Sequence, residues 1–167
     1  PQTDPFSPEN LLVLDEGVMT GTPMAASCRF AAIGKSPLTS AAGESEAAGY
    51  FGPELKKAGF DAIVIRGKAE KPIYLWVSDG KAEIKDAAHL ASLGCCAAED
   101  TIRKELGNTK IRVAQTGLAG MNRVRFANIT NNLGHFNGRN GFGAVLGSKN
   151  LRAVAALGTY KIDFFDS

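Results

Sequence analysis

The apolar positions of this chain fall in short runs that are separated by turn-forming residues. Most runs are rich in β-branched or aromatic side chains, which is typical of buried strands. Between two of them, residues 78–81 (SDGK) have the composition of a hairpin turn. The pattern predicts strands at residues 11–14, 28–33, 62–65, 73–77, 82–84, 111–114, 124–129 and 153–157.

Helical patterns are few. Residues 52–59 predict a short helix, with Pro53 in its first turn and Gly59 at its C-terminal cap. Residues 97–106 predict a second helix, because acidic side chains come early and Lys104 comes late, as the helix dipole favours. Strands outnumber helices and do not alternate with them regularly. The predicted fold class is therefore α+β, with packed β-sheets and few short helices, rather than a doubly wound sheet.

The bulk properties predict one domain over residues 1–167 and exclude several classes of protein. A formal net charge of +2 with dispersed basic residues argues against nucleic-acid binding, and no apolar run is long enough to span a bilayer. The three cysteines, Cys28, Cys95 and Cys96, form neither a disulfide framework nor a CxxC metal motif. They favour a reducing, cytoplasmic compartment.

Glycine-rich residues 134–150 (GHFNGRNGFGAVLGSKN) are the strongest candidate for binding. Glycine lets the backbone approach a bound group closely, and the interspersed basic and amide side chains suit an anion. A second polar cluster lies upstream, with Arg29 and residues 35–39 (KSPLT). A glycine-rich turn between two strands remains the alternative. The spacing fits neither the dinucleotide fingerprint nor the phosphate P-loop.

Catalytic motifs are not evident. The two histidines, His89 and His135, are far apart in sequence and have no carboxylate at metal-ligand spacing, and no nucleophile elbow is present. The acidic pairs Asp15-Glu16 and Glu99-Asp100 are interpreted as solvated loop and helix positions. Anion-binding loops without catalytic machinery indicate binding rather than chemistry.

Ten blocks in fixed order carry a family resemblance. They are residues 4–10 (DPFSPEN), 20–22 (TGT), Arg29, 35–39 (KSPLT), 49–56 (GYFGPELK), 58–63 (AGFDAI), 67–72 (GKAEKP), 86–90 (DAAHL), 138–139 (GR) and 143–151 (GAVLGSKNL). This pattern resembles the N-terminal domain of the tungsten-containing aldehyde:ferredoxin oxidoreductases. It covers nearly the whole chain, except about the last ten residues, and several blocks together are far more specific than one glycine motif.

The resemblance implies a domain of two β-sheets that forms a saddle beneath tungsten held by two pterin dithiolenes, with magnesium bridging the pterin phosphates. It implies that Arg29 pairs with a phosphate and that the backbone carbonyls of Glu46 and Phe136 face the magnesium. It also implies cofactor contacts from Ala48, His135, Asn137, Gly138 and Arg139. We therefore predict that Arg29 and residues 134–139 share one face, with Cα atoms within roughly 15 Å.

The implied activity is oxidation of an aldehyde to a carboxylic acid. Electrons would leave through a 4Fe-4S cluster, bound by domains missing from this chain, to ferredoxin. The implied partners are ferredoxin, the remaining domains of the full-length enzyme and a second copy in a homodimer, and the implied location is cytoplasmic. The chain is expected to be truncated at both ends and inactive alone. Reduction of an acid or of an aromatic thioester is a related alternative within the family.

Three residues depart from the family pattern. Glu46 stands where the family typically has Asn, His135 where it typically has Arg, and Ala48 where it typically has Gly. The histidine replaces a planar, permanently charged guanidinium with an imidazole ring. These changes favour an altered grip on the cofactor, a divergent subfamily, or relaxed selection. The alternative function is therefore a non-catalytic binding module or orphan fragment that holds no cofactor.

Overall fold

The computed structural model describes residues 2–163. These residues form two β-sheets, four short α-helices and one 3₁₀ turn. Their bounds are β1 Leu12–Glu16, β2 Phe30–Lys35, β3 Ala42–Ala47, α1 Phe51–Lys57, β4 Ala62–Ile65, β5 Ile73–Ser78, β6 Lys81–Asp86, the 3₁₀ turn Ala88–Leu90, α2 Cys95–Glu105, β7 Arg112–Gln115, α3 Leu118–Met121, β8 Ile129–Asn131, β9 His135–Asn137, α4 Phe142–Ser148 and β10 Leu151–Leu157.

The first sheet has four antiparallel strands in the order β3-β2-β1-β4. In β1, Leu12, Leu14 and Glu16 face the interior and the intervening residues face outward, as the two-residue period of a strand requires. The same alternation turns Ser45 and Ala47 of β3 inward. The outer face of this sheet is therefore the more polar one near β3.

The second sheet has six strands in the order β6-β5-β10-β7-β8-β9. Its only parallel pairing among the described residues joins β10 to β5, and the other neighbours are antiparallel. The register shifts between Leu151 and Ala153, so Arg152 sits at a bulge. Strands β3 and β9 are edge strands, and they lie next to each other where the two sheets meet.

Two apolar clusters form the core. The larger one joins side chains of both sheets with those of α1 and α4, including Leu14, Phe30, Leu55, Val145 and Val154. Burying side chains of this size stabilises the fold by about 1.5–3 kcal/mol each. The smaller cluster packs α2 against the other face of the second sheet.

The structure confirms the predicted α+β class and most predicted strands. The hairpin of β5 and β6 turns at Asp79 and Gly80, both of which have positive φ. The prediction of a strand at residues 124–129 is wrong over most of its length, because β8 begins only at Ile129. The backbone before β8 instead contacts the first turn of α4, because the Gly143 N–H donates to the Ala127 carbonyl at 2.9 Å.

Part of the glycine-rich segment serves the protein's own packing. Residues 142–148 form α4, which is buried along its whole length and which the sequence did not predict. A Cβ at Gly147 would lie 1.9 Å from the Gly120 carbonyl oxygen, and one at Gly143 would lie 2.2 Å from that of Asn128. At these two positions the close approach is therefore to neighbouring backbone and not to a ligand.

The prediction that both acidic pairs are solvated is wrong for one member of each pair. Glu16 and Glu99 are buried, whereas Asp15 is half-buried and Asp100 is exposed. Strand alternation turns Glu16 inward. Helix α2 turns Glu99 towards Arg103, with which it forms an ion pair one helical turn away.

Candidate functional site

Asparagine side chains join the two adjacent edge strands β3 and β9. Asn137 Nδ2 donates to the Ser45 carbonyl at 2.7 Å, Asn140 Nδ2 to the Glu44 carbonyl at 2.8 Å, and Asn131 Nδ2 to the Ala48 carbonyl at 3.0 Å. These bonds give hydrogen-bond partners to carbonyl groups on and just after β3. We call Asn131, Asn137 and Asn140 the asparagine seam.

The asparagine seam fixes the position of the candidate binding residues on β9. The exposed residues of this segment are His135, Phe136, Gly138 and Arg139. Phe136 is 51% exposed, which is high for an aromatic residue. Asn137 differs from its neighbours because its side chain points inward and is fully buried. The Arg139 backbone N–H adds a bond of 3.0 Å to the Ser45 hydroxyl.

Room for a ligand exists at two glycines of this segment. A Cβ at Gly138 would contact only Phe136, at 4.0 Å, and one at Gly134 would meet only the Asn132 carbonyl oxygen, at 3.7 Å. A bound group can therefore approach the backbone there. Gly141 offers no such room, because a Cβ there would lie 1.8 Å from the Arg125 carbonyl oxygen.

Arg29 lies just before β2 and carries the candidate phosphate-binding guanidinium. Its Nη1 is 3.5 Å from Glu46 Oε2, and both side chains are more than half exposed, at 59% and 54%. The pair borders a cleft of about 300 Å³ on the outer face of the first sheet. Asp15 and Glu44 line the same cleft.

Strand β3 is the element that all the candidate residues share. Glu46 belongs to it, Arg29 forms an ion pair with it, and Ala48 follows it and is half-buried. The β9 segment is bonded to it through Asn137. Positions about ninety residues apart in sequence are thus brought together, as the Asn137–Ser45 bond spans 92 residues.

Several residues of this region were missed in the sequence. Asn131 and Ser45 carry bonds between the sheets, and Asp15 and Glu44 add charge to the cleft. The alternation of polar and small residues in 42–47 (AGESEA) was the available signal for β3. Nothing local marks an asparagine that bonds to a strand far away in sequence.

Glu16 lies at the end of β1 and faces the interior. It is 6% exposed, and neither carboxyl oxygen has a hydrogen-bond partner among the described residues. Burial raises the pKa of Glu16 to about 9, and the nearby Lys56 ammonium offsets only part of this effect. The carboxyl group is therefore protonated and neutral at pH 7.

Two further kinds of site are not found among residues 2–163. No group of three or more His, Cys, Asp or Glu side chains is close enough to hold a metal ion through side-chain ligands. A magnesium ion bound to these residues would therefore need backbone carbonyls and ligand oxygens as its ligands. No helix of the described residues is long and apolar enough to cross a membrane.

Comparisons with known proteins agree on one family. The chain is 46% identical over 166 residues to the tungsten-containing aldehyde ferredoxin oxidoreductase of Pyrococcus furiosus, and 37% identical to the aliphatic sulfonate oxidoreductase WOR-like subunit of the same organism. These alignments cover 99% and 95% of the chain but only 27% of each relative. The chain thus spans about a quarter of their length.

A solved structure gives the same result for the fold. It is the active-site complex BamBC of benzoyl coenzyme A reductase with 1,5-dienoyl-CoA, which matches at a TM-score of 0.94 and 41% identity over 97% of this chain and 25% of that one. The model of the aldehyde ferredoxin oxidoreductase N-terminal domain matches residues 1–158. The chain therefore belongs to the aldehyde ferredoxin oxidoreductase N-terminal domain family.

Proposed function

We propose that this chain is the cofactor-supporting N-terminal domain of a tungsten or molybdenum bis-pterin oxidoreductase. The whole enzyme would oxidise aldehydes to carboxylic acids and pass electrons to ferredoxin. The match of the family model to residues 1–158 carries the proposal. The 46% identity to a tungsten-containing aldehyde ferredoxin oxidoreductase supports the substrate class and the metal.

The residues on and beside β3 and β9 fit such a cofactor. The exposed Arg29 guanidinium suits a phosphate, and the open backbone at Gly134 and Gly138 admits a flat ring system. The bis-pterin metal supplies the two-electron chemistry when it is bound. The residues that would hold it are Arg29, Ala48, His135, Gly138 and Arg139, and the backbone carbonyls of Glu46 and Phe136 would face magnesium. Asn137, implied as a further contact, is fully buried and would position these residues instead.

The contribution of this chain would be positioning. Asn137 is buried between β9 and β3, so it orients the exposed neighbours His135 and Gly138 through the backbone. Such a framework is formed before a ligand arrives, which lowers the entropy lost on binding. We assign the 4Fe-4S cluster to domains outside this chain, and the three cysteines here are free.

Reduction of an aromatic thioester is the second candidate reaction. The fold match to a benzoyl coenzyme A reductase at 41% identity favours it. The two reactions share a redox cofactor site of one kind and differ in the substrate pocket, which we place in the other domains. Assays of the full-length gene product with an aldehyde and with an aromatic coenzyme A thioester would separate them.

Metal analysis of the purified full-length product tests the proposal most directly. We expect tungsten or molybdenum together with iron, and aldehyde-dependent reduction of a redox dye. An intact product that contains neither metal would support the non-catalytic binding module instead. We expect the 167-residue chain alone to show no turnover, and we propose a cytoplasmic location with ferredoxin and a homodimeric second copy as partners.

A further inference from the structure

The strand register explains why Glu46 reaches Arg29. Glu46 of β3 lies opposite Ala31 of β2, and Arg29 is two residues before Ala31 on the same face. The two charged side chains are thus diagonal neighbours across an antiparallel pair, which is within reach of long side chains. Their 3.5 Å contact follows from the sheet itself and needs no ligand.

The cleft beside this pair carries more negative than positive charge. Asp15 of β1 lies opposite Ala31, so Asp15, Ala31 and Glu46 form one row across three strands. Glu44 borders the same cleft two residues along β3. Among the described residues that line it, there are three carboxylates and one guanidinium, that of Arg29. A free anion that approaches Arg29 is therefore repelled by these carboxylates, of which Glu46 is the one in contact with the guanidinium.

We propose that Glu46 is an internal counter-ion for Arg29 that makes this site selective for a magnesium-chelated diphosphate over a free diphosphate. The proposal rests on the proposed function, because it takes Arg29 as a phosphate ligand. A free diphosphate on the Arg29 guanidinium places added negative charge beside the Glu46 carboxylate. A diphosphate that carries Mg²⁺ brings a divalent cation that offsets the carboxylate.

Magnesium and diphosphate should therefore bind cooperatively, and the coupling should depend on Glu46. Each ligand raises the affinity for the other by the same factor, as linkage requires. Replacing the carboxylate by a neutral amide removes the repulsion that magnesium relieves. The amide variant should then bind free diphosphate more tightly and gain less from magnesium than the wild-type chain does.

Calorimetric titration of the chain with inorganic pyrophosphate, in EDTA and in excess Mg²⁺, tests this inference. Glu46→Gln should raise the affinity in EDTA about two- to fivefold, the equivalent of one surface ion pair, and should reduce the gain from Mg²⁺ by the same factor. Glu44→Gln is the matched control. It removes the same charge from the same strand and cleft, but Glu44 has no ion pair with Arg29 among the described residues.

The outcomes separate the inference from the proposed function. Equal effects of Glu46→Gln and Glu44→Gln, or no effect of Glu46→Gln, overturn the counter-ion role while binding that is lost in Arg29→Gln still supports the phosphate site. Binding that is insensitive to Arg29→Gln, or no binding in any variant with Mg²⁺, removes the phosphate site and the inference with it. Circular dichroism of each variant confirms that the sheets are intact.

Discussion

Among the described residues, each of the two sheets buries one side chain of the Asp, Glu, Lys or Arg type, and the surroundings of the two groups differ. Arg152 of β10 is fully buried and donates to the Gln115 side-chain oxygen at 3.0 Å, to the Leu93 carbonyl at 3.1 Å and to the Thr116 carbonyl. Glu16 of β1 is nearly as buried, yet its carboxyl oxygens have no partner in the described chain.

The difference follows from what each group can do with its charge. A carboxyl group escapes the cost of burial by keeping its proton, and burial accordingly raises the pKa of Glu16 to about 9. Burial also lowers the pKa of Arg152, but a guanidinium remains charged at any physiological pH. The arginine therefore needs acceptors, which its two terminal nitrogens have although Nε has none among the described residues. The glutamic acid tolerates their absence.

Removing Arg152 should have the largest effect on stability. In Arg152→Met, the Gln115 oxygen and two backbone carbonyls lose their buried donor. We expect the free energy of unfolding to fall by about 3–5 kcal/mol in urea titrations at pH 7, because each buried acceptor left without a donor costs about 1–3 kcal/mol. Arg112→Met on neighbouring β7 is the control. Arg112 is half-buried and stacks on Tyr50 at 4.9 Å, so its loss should cost under about 1 kcal/mol. Equal losses would refute the distinction.

Replacing Glu16 should change the pH dependence of stability. The folded chain keeps this proton up to about pH 9, while the unfolded chain releases it near the ordinary value of 4.5. The folded state binds more protons between these limits, so the free energy of unfolding falls as pH rises, by up to about 1.4 kcal/mol per pH unit. Glu16→Gln carries no titrating group and should remove this slope.

The control for this variant lies on the same strand. Asp15→Asn changes an acid on the outer face of β1 and should leave the slope nearly intact. Lys56, Asp61 and Asp15 are the charged groups that act on Glu16, and none outweighs its burial. Urea titrations of both variants from pH 5 to 8 make the measurement. A Glu16→Gln slope equal to that of the wild type would show that Glu16 is ionised in the folded chain.

The asparagine seam is intermediate between these two cases. The Asn137 amide donates to the Ser45 carbonyl at 2.7 Å, but its Oδ1 has no partner among residues 2–163. Asn137→Ala therefore loses one buried bond and also removes one unsatisfied atom. We expect a loss of about 1 kcal/mol in the same urea assay. A loss as large as that of Arg152→Met would mean that the contact between β3 and β9 is more important than its hydrogen bonds indicate.

The sequence predicted those parts of the fold that depend on local chemistry. The β5–β6 hairpin was predicted because its apolar runs flank a turn with the residues that positive φ requires. Strand β3 was missed because residues 42–47 (AGESEA) are polar and small, and their pairing with β2 decides their conformation. Helix α4 was missed because its glycines suggested a loop, whereas tertiary packing requires them.

The buried charges and the candidate site depend on strand register, which the sequence pattern alone does not reveal. Asp15 and Glu16 are adjacent acids, and only the register of β1 decides which one enters the core. The family resemblance supplied Arg29, Glu46 and His135 as candidates, and the family itself is confirmed. The Arg29–Glu46 ion pair was not predicted, because it depends on which residues face each other across β2 and β3.

The smallest effect should come from the exposed pair at the candidate site. Arg29 and Glu46 are both charged but more than half exposed, so water solvates each of them when the other is removed. We expect Glu46→Gln to change the free energy of unfolding by less than about 0.5 kcal/mol in urea at pH 7. Added salt should leave that small difference unchanged or reduce it, since screening acts on exposed charges. A loss above about 2 kcal/mol would place Glu46 with Arg152 as a structural ion, and its charge would then hold β3 in place instead of tuning how Arg29 meets an anion.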